Sequence, residues 1–241
     1  MKNAQMLRDG AEQLGLKLDE RQVELFRIYA EELEEWNQKI NLVSAATVEQ
    51  IVAVHFLDSL SCIRSGRFKA DSKIADVGAG AGFPGIPLRI ASPAISLTLV
   101  EASRKKVHFL EALLEKLALS QVQVVWQRAE EFARISSNRG SYDIVVTRAV
   151  AALPVLLEYS LPLLKLGGAV VAQKGRPEAV ELEEGRAAAS ILGGKIVPPL
   201  TVHVPYLEGD RNLIIAEKTS NTPEQYPRRA GVPEKRPLGQ S

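Results

Sequence analysis

From Lys73 onward the chain changes period, and this constrains the fold more than any other feature. Short runs rich in valine and isoleucine, at 73–78, 95–101, 121–127, 142–147, 168–174, 195–204 and 211–218, alternate with longer amphipathic runs. Helical patterns fill several gaps, most clearly at 104–117 and 153–166. Strand–helix alternation of this kind means crossover units around a largely parallel sheet. The last two runs have no obvious helix between them, which predicts an antiparallel pair at one edge.

The first third has a different pattern. Asp19 is placed to cap a helix running from Glu20 to about Lys39, with Gln22 at the capping-box position. Thr47 and Gln50 repeat that pattern ahead of Ile51, Val54, His55, Leu57, Asp58 and Cys62. A polar, glycine-containing connector at 64–71 follows. The expected organisation is therefore a helical cap at 1–66, an α/β domain at 67–218 and a tail at 219–241. With four prolines, two glycines and four arginines or lysines, that tail is expected to be extended or disordered.

Charge narrows the partners. Residues 1–66 hold 7 basic and 11 acidic side chains, and residues 67–241 hold 23 and 18, so net −4 is followed by net +5. A polyanion would meet the second part. Cys62 is the single cysteine, which forbids an internal disulfide and favours a reducing compartment. No charge-free stretch exceeds 12 residues, against the ~20 apolar residues a spanning helix needs. A cytoplasmic protein with no membrane partner is expected.

The most informative segment is Asp76-Val77-Gly78-Ala79-Gly80-Ala81-Gly82-Phe83-Pro84-Gly85. A strand ends at Gly78 and the chain turns sharply, at the edge where open parallel sheets bind ligands. Gly80 to Gly85 matches the G-x-G-x-x-G dinucleotide fingerprint, but two residues late. Pro84 and Pro87 stand where a pyrophosphate needs N–H donors. S-adenosylmethionine makes no such demand. Glu101, ending the next strand, can accept both ribose hydroxyls of either ligand. Arg128-Ala129-Glu130-Glu131, after the third strand, offers an acid and amides to an adenine edge.

These residues resemble the RsmG/GidB family of bacterial methyltransferases. The glycine-proline loop at 76–85 carries most of the likeness, which extends over roughly 20–237. Trp36-Asn37-Gln38-Lys39-Ile40-Asn41-Leu42, His55-Phe56-Leu57-Asp58-Ser59-Leu60, Thr147-Arg148-Ala149-Val150, Gln173-Lys174-Gly175 and Pro227-Arg228-Arg229-Ala230-Gly231-Val232-Pro233 agree with it. The resemblance implies a class I, Rossmann-like methyltransferase with a mostly parallel seven-stranded sheet and a small N-terminal helical cap. It implies S-adenosyl-L-methionine as cofactor, with no metal. It also implies 16S rRNA or the small ribosomal subunit as partner, and N7 of a guanine in the 530 loop as methyl acceptor. An NAD-linked oxidoreductase and a non-catalytic ribosome-assembly factor with a vestigial pocket are the competing classes. Oligomeric state stays open, with a monomer favoured.

The chemistry agrees with what the chain lacks. Guanine N7 is a free lone pair without a proton, so its attack on a methyl group needs no general base. Pyrimidine-carbon methylation usually needs a cysteine nucleophile, and Cys62 is far in sequence from the ligand edge. Arg148, ending the fourth strand, is the first candidate catalytic residue, with a planar fork suited to guanine O6 or a phosphate. Lys174, ending the fifth, is the second. Candidate cofactor-binding residues are Gly78, Gly80, Phe83, Glu101, Ser103, Ala129 and Glu130, joined through the resemblance by Arg148. His55, Asp58 and Ser59 share one helix face and cannot arrange as a catalytic triad, so hydrogen bonding between the cap and the sheet is expected of them. Trp36 to Asn41 should end a helix and pack on the α/β domain, or else meet RNA or cover the cofactor. Arg228, Arg229, Lys235 and Arg236 are positioned to track an RNA backbone.

Overall fold

Eight strands form one sheet in a computed structural model that describes residues 2–44, 47–148, 151–175 and 178–240. They are β1 (Lys73–Val77), β2 (Ser96–Glu101), β3 (Val122–Trp126), β4 (Tyr142–Arg148), β5 (Leu164–Lys174), β6 (Gly194–Ile196), β7 (Leu200–His203) and β8 (Asp210–Lys218). The order is β3-β2-β1-β4-β5-β8-β6, with β7 also paired to β8. The five strands from β3 to β5 are parallel, and β8 runs antiparallel to β5, β6 and β7. Seven strands were expected. The run at 195–204 is two strands, because Pro198 and Pro199 interrupt it and proline cannot donate to a ladder.

The strand order reverses between β1 and β4. From β1 the chain steps outward to β2 and β3, then returns to the other side of β1. The carboxyl ends there flank a crevice, the usual ligand position of a doubly wound sheet.

Each face of the sheet is covered. On one side Phe26, Tyr29, Phe56 and Leu57 from the N-terminal helices join Ile74, Leu97 and Val146 of the sheet in one buried cluster. Full burial of each such side chain contributes about 1.5–3 kcal/mol, so the helices of 1–66 are held on the sheet by a shared core. On the other side Leu153, Leu156 and Leu157 pack on Ala75, Val145 and Val170. The helix expected over 153–166 stops at Ser160, one short 3-10 turn before β5. Pro162, inside that turn, cannot continue the helix.

Local signals explain the helix that approaches the crevice. Asp19 caps Glu20–Asn37 in a full capping box with Gln22. Thr47 accepts from the Gln50 N–H and opens a helical segment spanning 48–65. Within it Ile51–Leu57 is π-helical, and the Asp58 N–H donates to Ala53 O, five residues back. Widened turns of this kind are frequent at functional sites.

The tail corrects the sequence expectation. Residues 219–240 pack against the domain, with Pro233 buried and a short helix at Val232–Lys235. Arg228 is not free to track a polyanion, because its Nε and Nη2 grip the fully buried Glu158. Among the described residues no helix is long and apolar enough to cross a membrane.

Candidate active site

The glycine loop turns from β1 into a helix at Gly85–Ala91. Gly80 has φ +59° and Gly82 φ +94°, conformations that favour glycine. At Gly82 a Cβ would also stand 2.5 Å from Ile86 Cδ1 and 2.7 Å from Tyr29 Oη. The Gly85 N–H donates to buried Asp76 Oδ2 at 2.7 Å, and the Ile86 N–H to Gly82 O at 2.8 Å. The helix therefore begins with its leading donors spent inside the protein. A pyrophosphate has little to hold there.

The loop walls a cavity of about 520 Å³. It runs across the carboxyl ends of β4, β1, β2 and β3. Gly78, Gly80, Phe83, Glu101, Ala129, Glu130 and Arg148 all line it. Ser103 and Lys174 do not. Ser103 donates its N–H to Glu101 Oε1 at 2.7 Å. The Lys174 ammonium, ending β5, pairs with Glu181 and reaches Ala151 O at 3.3 Å. The segment Thr147-Arg148-Ala149-Val150 continues past Arg148 outside the described residues.

Glu101 is fixed by two backbone donors. Its Oε2 accepts from the Gly80 N–H at 2.9 Å and its Oε1 from the Ser103 N–H. A carboxylate oxygen has two lone pairs, so each keeps one for a ligand hydroxyl.

Arg148 is held from the helix side. Its Nη1 lies 3.1 Å from Asp58 Oδ2 and 3.2 Å from Val54 O, and its Nη2 3.1 Å from His55 Nδ1. Asp58 Oδ1 also takes Arg211 Nε at 3.1 Å. Arginine only donates, so His55 Nδ1 must accept and Nε2 carries the ring proton. Burial and the adjacent Arg148 charge push the His55 pKa down to about 4, which keeps the ring neutral. His55 Nε2 is buried with no hydrogen-bond partner among the described residues. The guanidinium sits 4.7 Å over the Phe83 ring, on which His55 stacks at 4.9 Å and 18°. Tyr29 stacks on the same ring at 5.3 Å and 13°. Phe83 thus has Tyr29, His55 and Arg148 stacked against its ring, and among the described residues the uncommitted donors of Arg148 are its Nε–H and one Nη2–H.

Beneath the loop lies Asp76, fully buried, with Oδ1 unpartnered among the described residues. Burial raises its pKa to about 7, opposed by the Gly85 N–H and by Arg148. Cys62 is wholly buried, and its thiol is pushed up by that burial, so it is not a nucleophile.

Several lining residues escaped the sequence reading. Leu42, Val43 and Ser44 follow the Trp36–Leu42 signature and form one wall. Asn37 shapes that coil, since its side chain bonds the Leu42 N–H, the Val43 N–H and Val43 O. Trp36 packs edge-on against Phe109 at 5.7 Å. Tyr159 and Glu234 line the far end and carried no sequence signal.

This sheet order, with a ligand cavity at the β1–β4 reversal, defines a class I methyltransferase fold. Solved structures agree on it. M. jannaschii TYW2 in complex with AdoMet matches with TM-score 0.52 and 17% identity over 66% of this chain and 74% of that one. The YcgJ protein from Bacillus subtilis matches with TM-score 0.53 and 15% identity over 69% and 100%. The rRNA small subunit methyltransferase G (GidB) family model matches residues 22–213. The ribosomal RNA small subunit methyltransferase G of Alkaliphilus metalliredigens is 41% identical over 238 residues, 99% of this chain and 100% of that relative. The protein of that name from Bacillus cereus strain B4264 is 42% identical over 236 residues, 98% and 99%. The chain belongs to the rRNA small subunit methyltransferase G family.

Proposed function

We propose that this chain transfers the methyl group of S-adenosyl-L-methionine to N7 of a guanine in the 530 loop of 16S rRNA. The observation that carries the reading is the donor arrangement around the glycine loop. The leading N–H groups of the Gly85–Ala91 helix are consumed by Asp76 and Gly82, while Glu101 beside them keeps two free acceptor positions. That pairing suits an adenosyl ligand without phosphate, and it argues against the NAD alternative.

The sheet order supports one direction for the ligand. Glu101 would take the ribose hydroxyls at the centre of the cavity. Glu130 and Ala129, at the β3 end, would meet the adenine. Phe83, Arg148 and His55, at the β1 and β4 ends, would meet the amino-acid end and the methyl acceptor. When bound, S-adenosylmethionine supplies a methyl group activated by a cationic sulfonium.

The chain's own part is then positioning. Phe83 and the wall at Leu42 and Val43 exclude water from the cavity. Arg148, held flat by Asp58 and His55, presents its free edge to an acceptor on the ligand or on guanine O6. The absence of a proton on N7 agrees with a site whose histidine is locked neutral by arginine and whose cysteine is buried away. Lys174 would act, if at all, only after leaving Glu181, so Arg148 is the stronger candidate.

The test is methyl transfer from labelled S-adenosylmethionine to unmodified small subunits or naked 16S rRNA, with the labelled base mapped. An assembly factor with a vestigial pocket would bind RNA and incorporate nothing. Label on an adenine or a pyrimidine would overturn the N7 assignment.

A further inference from the structure

The far end of the cavity is built by a segment that lies beyond the residues matched by the family model. The Gly231 N–H donates to Glu130 Oε1 at 2.9 Å, and Tyr159 Oη lies 3.4 Å from the same oxygen. Gly231 takes φ +78°, a conformation that favours glycine. One turn on, Glu234 stands at the cavity rim. The segment cannot drift, because Arg228 upstream is anchored through three donor groups on buried Glu158. Its N–H and Nε donate to Oε1 at 2.8 and 2.9 Å, and its Nη2 donates to Oε2. Arg139 adds a bond to Tyr226 O at 2.6 Å.

Glu130 thus has one oxygen committed to the tail. Its Oε2 has no hydrogen-bond partner among the described residues. A carboxylate so fixed, next to the amides of Gln127 to Ala129 at a strand end, is a preorganised acceptor for an exocyclic amine.

We infer that residues 226–235 form the third wall of the adenosine end of the cofactor site. In this arrangement Gly231 is a positioning residue that aims Glu130 Oε2 at the ligand's exocyclic amine, and Glu234 closes the rim. This rests on the cofactor reading above. Binding and tail order are then linked, since a ligand that uses a wall stabilises it and the wall raises affinity by the same factor.

Hydrogen exchange of the full chain, with and without S-adenosylhomocysteine, reads that linkage without any turnover. Exchange within 226–236 is expected to slow at least fivefold on binding, while β7, at the opposite edge of the sheet, stays unchanged. Calorimetry with Glu234→Ala is expected to show a five- to twentyfold weaker dissociation constant. Glu130→Gln, which places an amide where two donors converge or turns it to the ligand, should weaken binding by at least as much. Unchanged exchange in 226–236, or a Glu234→Ala affinity within twofold of wild type, would overturn the inference while leaving the cofactor reading intact. A wild-type chain that fails to bind S-adenosylhomocysteine would remove both.

Discussion

Asp58 Oδ2 and Arg148 Nη1 lie 3.1 Å apart, with side chains 6% and 16% exposed, and this ion pair ties the N-terminal helices to the carboxyl end of β4. Breaking a buried pair by removing one partner costs about 3–5 kcal/mol, because the other charge is stranded. Asp58→Ala should therefore destabilise strongly, since Arg211 loses its partner too. The milder Asp58→Asn and Arg148→Gln changes should be less costly together than the sum of the two. A coupling of about 0.5–3 kcal/mol in denaturant unfolding is expected. Strict additivity would mean that the pair does not act as a unit.

Glu101 is the site's fixed acceptor. Glu101→Gln puts an amide hydrogen against the N–H of Gly80 or Ser103, which both donate to the present carboxylate. Calorimetry with S-adenosylhomocysteine should show a loss of about 1.5–3 kcal/mol, the range for hydrogen bonds to charged groups. Affinity within twofold of wild type would remove Glu101 from the ribose position.

Two buried groups give opposing pH dependence. Asp76 keeps its proton in the folded state up to about pH 7, against an ordinary value of 3.8. Folding therefore takes up a proton between those values, and this group's contribution to stability falls as pH rises through the window. His55 does the reverse. Its folded value of about 4 lies below the ordinary 6.5, so stability is lost as pH drops from 6.5 toward 4. The two slopes offset each other in the wild type over much of that range. Asp76→Asn exposes them, and its stability relative to wild type should rise by about 2–3 kcal/mol between pH 5 and 8. Thermal melts that shift equally at both pH values would show that Asp76 is ionised throughout.

Gly85 marks where the loop meets Asp76. An added Cβ would stand 2.7 Å from Asp76 Oδ2 and 3.1 Å from Leu97 Cδ1. Gly85→Ala should break the Gly85–Asp76 bond and lower stability by about 1–3 kcal/mol, with a matching loss of cofactor affinity. An alanine variant with the wild-type melting temperature would show that the loop adjusts freely.

Legibility followed sequence distance. The Asp19–Gln22 box, the strand ends at Gly78 and Glu101, and the fourth-strand Arg148 are local patterns, and period and caps report them directly. The π-helical turn carries no such mark. The Thr47 cap announces a helix, not the widened pitch that sets Val54 O, His55 and Asp58 around one guanidinium. Glu130 and Gly231 are 101 residues apart, and a proline-rich tail reads as disordered unless its buried partner Glu158 is known. Lys174 is marked by its strand-end position and its place in Gln173-Lys174-Gly175, while its pairing with Glu181 depends on how the following helix docks.

The most direct measurement is base mapping after reaction of the purified chain with labelled S-adenosylmethionine and unmodified small ribosomal subunits. Borohydride reduction and aniline cleavage break RNA at N7-methylated guanine. The expected result is one label, one new cleavage within the 530 loop, and the loss of both with Arg148→Ala. Label without cleavage, cleavage elsewhere, or full transfer by the Arg148 variant would contradict the account.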